Sequence, residues 1–66
     1  MNITINAEPK EVADAITLEK LLDDLDIKDK VMAAAINTQI VKQDQWSSRR
    51  LADGDKLELL DFVGGG

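Results

Sequence analysis

The absence of both cysteine and histidine from a chain of 66 residues is what most limits its fold. A domain of this length buries only about 60% of the surface that its unfolded chain exposes. Small folds commonly offset that deficit with disulfides or a structural metal. Here no disulfide can form, and a zinc site would have to rest on carboxylates alone, which zinc seldom accepts. The fold must therefore hold through close packing of Leu, Ile, Val and Ala, as one compact domain of modest stability. Residues 1–63 are expected to form that domain, and residues 64–66 a flexible glycine tail.

Charge narrows the range of partners. Asp and Glu outnumber Lys and Arg 13 to 8, for a net charge of -5. A surface that tracks phosphates needs clustered positive charge, and the only adjacent basic pair is Arg49-Arg50. Nucleic acid is not an expected partner; an acidic face suits docking onto a basic protein surface. Polar residues interrupt the first sixteen positions, so no apolar leader segment is predicted. The longest apolar run, Val31 to Ile36, is far too short to span a bilayer. No membrane association is expected, and the default location is the cytoplasm.

Along the chain, Asn2-Ile3-Thr4-Ile5-Asn6 alternates polar with apolar residues, which places Ile3 and Ile5 on one face of a strand. Ala7-Glu8-Pro9-Lys10 reads as a turn broken by Pro9, with Glu11-Val12-Ala13 returning as a second strand. Thr17 is placed to cap a helix, and Glu19 complements the positive end of its dipole. Leu18, Leu21, Leu22 and Leu25 recur at i, i+3, i+4 and i+7, forming one apolar stripe over about two turns. Such a stripe is core material. So short a helix holds only when packed on a sheet.

Val31-Met32-Ala33-Ala34-Ala35-Ile36 is apolar throughout and predicts a strand buried on both sides or packed centrally. Its alanines would also suit a helix, but the β-prone Ile40-Val41 just beyond Asn37-Thr38 favours strand. Lys42 to Ser48 predicts a loop with one helical turn, in which Trp46 serves as a core anchor rather than a contact residue. Asp53-Gly54 is a strong turn signal, and a last strand follows from Asp55 to Val63. Hairpin, helix and further strands in this order predict an α+β fold of the β-grasp (ubiquitin-like) type. Its mixed sheet of four to five strands would be crossed by one main helix. The Leu stripe would then pack against Ile3, Ile5, Leu57 and Leu59.

Catalytic machinery is missing from the composition. Without His or Cys, neither a Cys–His pair nor a Ser–His–Asp triad can be assembled, and Ser47 and Ser48 lack a histidine base. The chain is not expected to be an enzyme, to bind a cofactor or to hold a metal. Gly64-Gly65-Gly66 is no phosphate loop, since no helix follows it. Three residues without side chains make a slender tail able to thread a narrow channel, ending in the Gly66 carboxylate. Adenylation by ATP would activate that carboxylate, and a sulfur donor would convert it to a thiocarboxylate. By composition alone the tail reads equally as a loose end.

The preceding strand favours function. If Leu57 and Leu59 face the core, Glu58, Leu60 and Phe62 face the other way. Leu60 and Phe62 then make an apolar patch beside the root of the tail, and such patches often mark binding sites. Glu58, Asp55 and Asp61 are candidates for charge pairs at its rim; Arg49 and Arg50 read equally as rim charges or as a solvated face. The alternative is that Phe62 covers a second small cluster.

Taken together, Ile3-Thr4-Ile5-Asn6, the Leu18/Leu21/Leu22 helix, Ala33-Ala34-Ala35-Ile36-Asn37, Ile40-Val41, Asp44-Gln45-Trp46, Asp53-Gly54-Asp55 and the glycine end resemble the ThiS family over essentially the whole chain. The resemblance implies a sulfur carrier whose Gly66 carboxylate is adenylated by a ThiF-like adenylyltransferase that uses ATP. Sulfur would come from a cysteine desulfurase or sulfur-delivery protein and pass as a thiocarboxylate to a ThiG-like thiazole synthase in thiamine biosynthesis. Gly64 and Gly65 would thread the partner, and Leu60, Phe62 and Glu58 would dock it. Thr38 and Ala7 stand where the family often has Gly, and Lys42 replaces a common Pro. The nearest rivals are a MoaD-like small subunit of molybdopterin synthase and a ubiquitin-like modifier or adaptor.

Overall fold

The structure, a computed structural model, describes residues 1–61. Five strands form one sheet: β1 (Asn2–Ile5), β2 (Glu8–Glu11), β3 (Val31–Ile36), β4 (Gln39–Val41) and β5 (Lys56–Asp61). Among the described residues a single α-helix, α1 (Leu18–Asp24), follows β2, and short 3-10 turns occupy Lys28–Lys30 and Gln43–Gln45. The sheet order is β2-β1-β5-β3-β4. β5 runs parallel to β1 and antiparallel to β3, while both hairpins are antiparallel. This is the β-grasp arrangement expected from the sequence.

The first hairpin turns earlier than its sequence suggests. Ile5 pairs with Glu8, so the turn is Asn6-Ala7 and the returning strand is Glu8–Glu11 rather than Glu11 to Ala13. Both turn residues have positive φ, 49° and 72°, which gives the turn a twist that matches the flanking strands. Pro9 lies inside β2, an edge strand, opposite Thr4. The Thr4 N–H points the other way, donating to the Asp55 carbonyl at 3.0 Å. Pro9 therefore occupies a position where a ladder donor is not required.

The helix forms as its capping and spacing predict. The Thr17 hydroxyl accepts from the Lys20 N–H at 3.1 Å. Leu18, Leu21 and Leu22 are buried, and Leu25 is half-buried at the C-cap. Beyond it Asp26 adopts φ 58°. The Ile27 N–H then reaches the Leu22 carbonyl and the Asp26 N–H reaches the Asp23 carbonyl, both at 3.0 Å. That double closure satisfies carbonyls that the helix end would otherwise leave open. The leucine stripe joins Ile3, Val31, Ala34, Ile36 and Leu57 in one core.

Trp46 completes this core as the expected anchor. It is 1% exposed, and its indole Nε1 donates to the Val41 carbonyl at 3.0 Å. Leu51, which the sequence did not single out, is buried beside it in the same cluster. Of the two readings of β3, packed centrally holds, since it lies between β5 and β4, and burial on both sides is corrected. Val31, Ala34 and Ile36 face the core, whereas Met32 is exposed and Ala33 and Ala35 are half-buried. Among the described residues there is one α-helix, and it covers one face of the sheet.

Candidate functional site

The uncovered face of the sheet is built by the parity of its strands. Leu57 is buried and Leu59 half-buried on the helix side, so Glu58 and Leu60 project from the opposite side. Leu60 pairs with Ala33, Glu58 with Ala35, and Ala35 in turn with Ile40 of β4. Leu60 is 59% exposed and Ile40 70%. Alanine side chains are too short to fill the space between them. The result is a shallow groove of about 360 Å³ floored by Ala33 and Ala35 and edged by Ile40, Leu60, Glu58 and Asn6.

A β-bulge enlarges the apolar surface toward the end of β5. Ala33 pairs with Leu60 but Val31 pairs with Asp61, which leaves Met32 as the extra residue. The bulge returns Val31 to the core parity and leaves Met32 53% exposed. Leu60 and Glu58 thus stand where the sequence places them, outward and exposed. Phe62, Gly64, Gly65 and Gly66 lie outside the described residues. Met32, Ile40 and the alanine floor were missed by sequence reasoning. The signal for the floor was present in the small outward-parity residues, but the unbroken apolar run disguised it.

Asp55, taken from the sequence as a rim charge, is instead buried at 8% exposure. Its carboxylate accepts from Asn37 Nδ2 at 2.9 Å and from the Ala52 N–H at 2.8 Å. Arg49 and Arg50 are exposed but sit beside the start of α1, where Arg50 bridges Thr17 and donates to the Ala15 carbonyl at 2.8 Å. They do not line the groove. Lys28 has its pKa raised by the hydrogen bond and charge of Glu19, at 3.0 Å; it too lies off the groove. Among the described residues no group of three His, Cys, Asp or Glu is placed to hold a metal ion, and no helix is long and apolar enough to cross a membrane.

What the open face offers chemically is an apolar contact surface with one carboxylate at its edge, ending where β5 leads into the glycine segment. The ThiS family model matches residues 3–66, so the match runs through the open-faced sheet and the glycines alike. The chain belongs to the ThiS family. The sulfur carrier protein ThiS of Escherichia coli is 36% identical over 66 residues, covering the whole of both chains. The crystal structure of the thiamine biosynthesis protein ThiS from Geobacter metallireducens superposes with a TM-score of 0.84 at 30% identity, again over the whole of both chains. A thiazole synthase of Paramagnetospirillum magneticum is 35% identical over 66 residues, of which this ThiS-family chain spans 20% of the length.

Proposed function

We propose that this chain carries sulfur for thiamine biosynthesis as a thiocarboxylate on Gly66. A ThiF-like adenylyltransferase joins the carboxylate to the AMP portion of ATP and releases pyrophosphate. The terminal sulfur of a persulfide, formed from cysteine by a desulfurase and passed on directly or by a sulfur-delivery protein, attacks the acyl carbon and expels AMP. A thiol then cleaves the resulting acyl disulfide, which leaves the thiocarboxylate on Gly66 and the thiol oxidised to a disulfide. The thiocarboxylate then gives its sulfur to a ThiG-like thiazole synthase. In this scheme the chain acts in the cytoplasm as a co-substrate and contributes no catalytic side chain. Residues 64–66 serve as the tail that enters each partner.

The observation that carries this reading is the end-to-end match to ThiS proteins, continuous through Gly66. Supporting it, thiazole synthases of Paramagnetospirillum magneticum and Magnetococcus marinus contain a region similar to this chain, about a fifth of each (20% and 20%). A carrier domain within the length of such an enzyme is consistent with transfer between the two. Leu60, Phe62 and Glu58 are proposed to dock the partners, on the strength of the exposed, apolar setting of Leu60.

The test is the intact mass of the protein after incubation with ATP, the ThiF-like enzyme and a cysteine-derived sulfur source. The expected change is one oxygen replaced by sulfur, localised to the peptide that contains Gly66. An unchanged mass, with the enzyme active on another carrier, would overturn the reading.

A further inference from the structure

A second surface lies on the helix side of the sheet, along the edge formed by β2. The Val12 N–H donates to the Met1 carbonyl at 2.8 Å, so Val12 turns its backbone groups toward β1. Backbone direction alternates along a strand, and Lys10 pairs with Ile3 and Glu8 with Ile5. The Glu11 N–H and C=O and the Pro9 C=O therefore point away from the sheet. β2 is an edge strand, and among the described residues no strand pairs with it on that side. Between this edge and α1 runs a groove of about 300 Å³. The buried Leu21 lines its depth, and the half-buried Val12, Ile16 and Leu25 form its walls. Glu11 and Asp24 stand at its rim with Lys10.

We propose that this groove takes a short extended segment of a partner protein, in which a branched aliphatic side chain is flanked by lysine or arginine. The segment adds to β2 through main-chain hydrogen bonds and seats its aliphatic side chain between β2 and α1. An apolar trough bordered by unused backbone donors and acceptors matches an extended chain, which offers both along its length. The rim carboxylates Glu11 and Asp24, with the exposed Glu8 nearby on β2, outnumber Lys10 and favour a cationic flank. Lys20 pairs with Asp24 at 3.1 Å, but both are exposed, and such a pair is weak enough to exchange. Pro9 has no N–H, which confines the pairing to the stretch beside the groove and keeps the segment short. A second copy of this chain fits poorly. Two-fold pairing of β2 centred on Lys10 or Glu11 sets like charges opposite one another, and centred on Pro9 it aligns two residues without N–H. β1 separates β2 from β5. A segment seated in the groove leaves the open face uncovered, so one protein can hold the chain while another occupies that face.

The probe is a synthetic peptide, Lys-Val-Ile-Val-Lys with both ends blocked, titrated into the isotope-labelled full chain and followed by NMR. Saturable amide shifts are expected at Glu11, Val12, Ile16 and Leu25, with half-saturation below about 1 mM, and none at Ala33 or Ile40 on the open face. An N-methyl group moved along the peptide is expected to weaken binding about tenfold at alternate residues, where it removes a main-chain donor, and to have no effect at those between. Glu11→Lys changes an exposed residue and is expected to weaken binding of the basic peptide about threefold, the weight of one exposed ion pair. The same variant should bind better a peptide with glutamate at both ends. Absence of saturable shifts overturns the proposal, and so does binding that N-methylation leaves unaltered at every residue. Shifts along β2 that grow with protein concentration in the absence of peptide overturn it in favour of a second copy of this chain. No adenylating enzyme or ATP is present, so none of these outcomes bears on the carrier function.

Discussion

The side-chain amide of Asn37 donates to the Asp55 carboxylate at 2.9 Å, tying the β3–β4 turn to the start of β5. The same asparagine accepts from the Lys56 N–H through Oδ1 at 2.9 Å, and its own N–H reaches the Lys56 carbonyl at 2.8 Å. The other Asp55 oxygen holds the Ala52 N–H. Asn6 plays a related part on the far side of β5, capping Leu59. Two turn asparagines and one buried aspartate thus set where β5 begins and how it sits between β1 and β3.

Replacing Asp55 with Ala is expected to destabilise the fold by about 1–3 kcal/mol, because two partly buried hydrogen bonds to a carboxylate, from the Ala52 N–H and the Asn37 amide, are lost. Asp55→Asn should cost less, since its amide oxygen can keep one of the two bonds. Urea unfolding followed by circular dichroism measures both. Equal midpoints for wild type and Asp55→Ala would show that the carboxylate has no structural part.

Both hairpin turns carry a residue in the left-handed region that is not glycine: Ala7 at φ 72° and Thr38 at φ 72°. These are the positions where the ThiS-family resemblance leads one to expect Gly, and the geometry supplies the reason. A Cβ is unfavourable there, more so for the β-branched Thr38. Ala7→Gly and Thr38→Gly are each expected to raise stability by about 1 kcal/mol, the scale of the penalty for a left-handed L-residue, with Thr38→Gly the larger gain. Thermal melts decide it; a fall in melting temperature for Thr38→Gly would count against the strain.

Leu60 is exposed and Leu57, three residues earlier, is fully buried. Leu60→Asp is therefore expected to change stability by less than about 0.5 kcal/mol, as surface substitutions usually do. If the open face docks the ThiF-like enzyme, the same change should weaken binding at least about tenfold, on the scale of an apolar contact replaced by a buried charge. Calorimetric titration against the enzyme, beside a melt of the free chain, separates the two effects. A large drop in melting temperature with unchanged affinity would make Leu60 a core residue and remove it from the docking surface.

Local chemistry made several features legible in the sequence. The Thr17 cap, the leucine stripe, the Asp53-Gly54 turn and the outward parity of Glu58 and Leu60 all depend on residues within a few positions of one another. Short-range sterics and hydrogen bonding suffice for them. Even the order of elements, hairpin then helix then strands, was enough for the fold class, because one amphipathic helix has only a sheet to cover.

The tertiary structure alone decided the rest. The run Val31 to Ile36 is apolar on both parities, and nothing within it says which face the single helix will cover. The bulge that turns Val31 inward and Met32 outward exists only in the register with β5. Pro9 is admissible in a strand because β2 is an edge, a property of the sheet and not of the peptide. Asp55 changes from a surface charge to a buried acceptor because Asn37, 18 positions away, folds back onto it. Period and propensity act along the chain, whereas coverage, register and burial depend on segments that meet only after the chain has closed on itself.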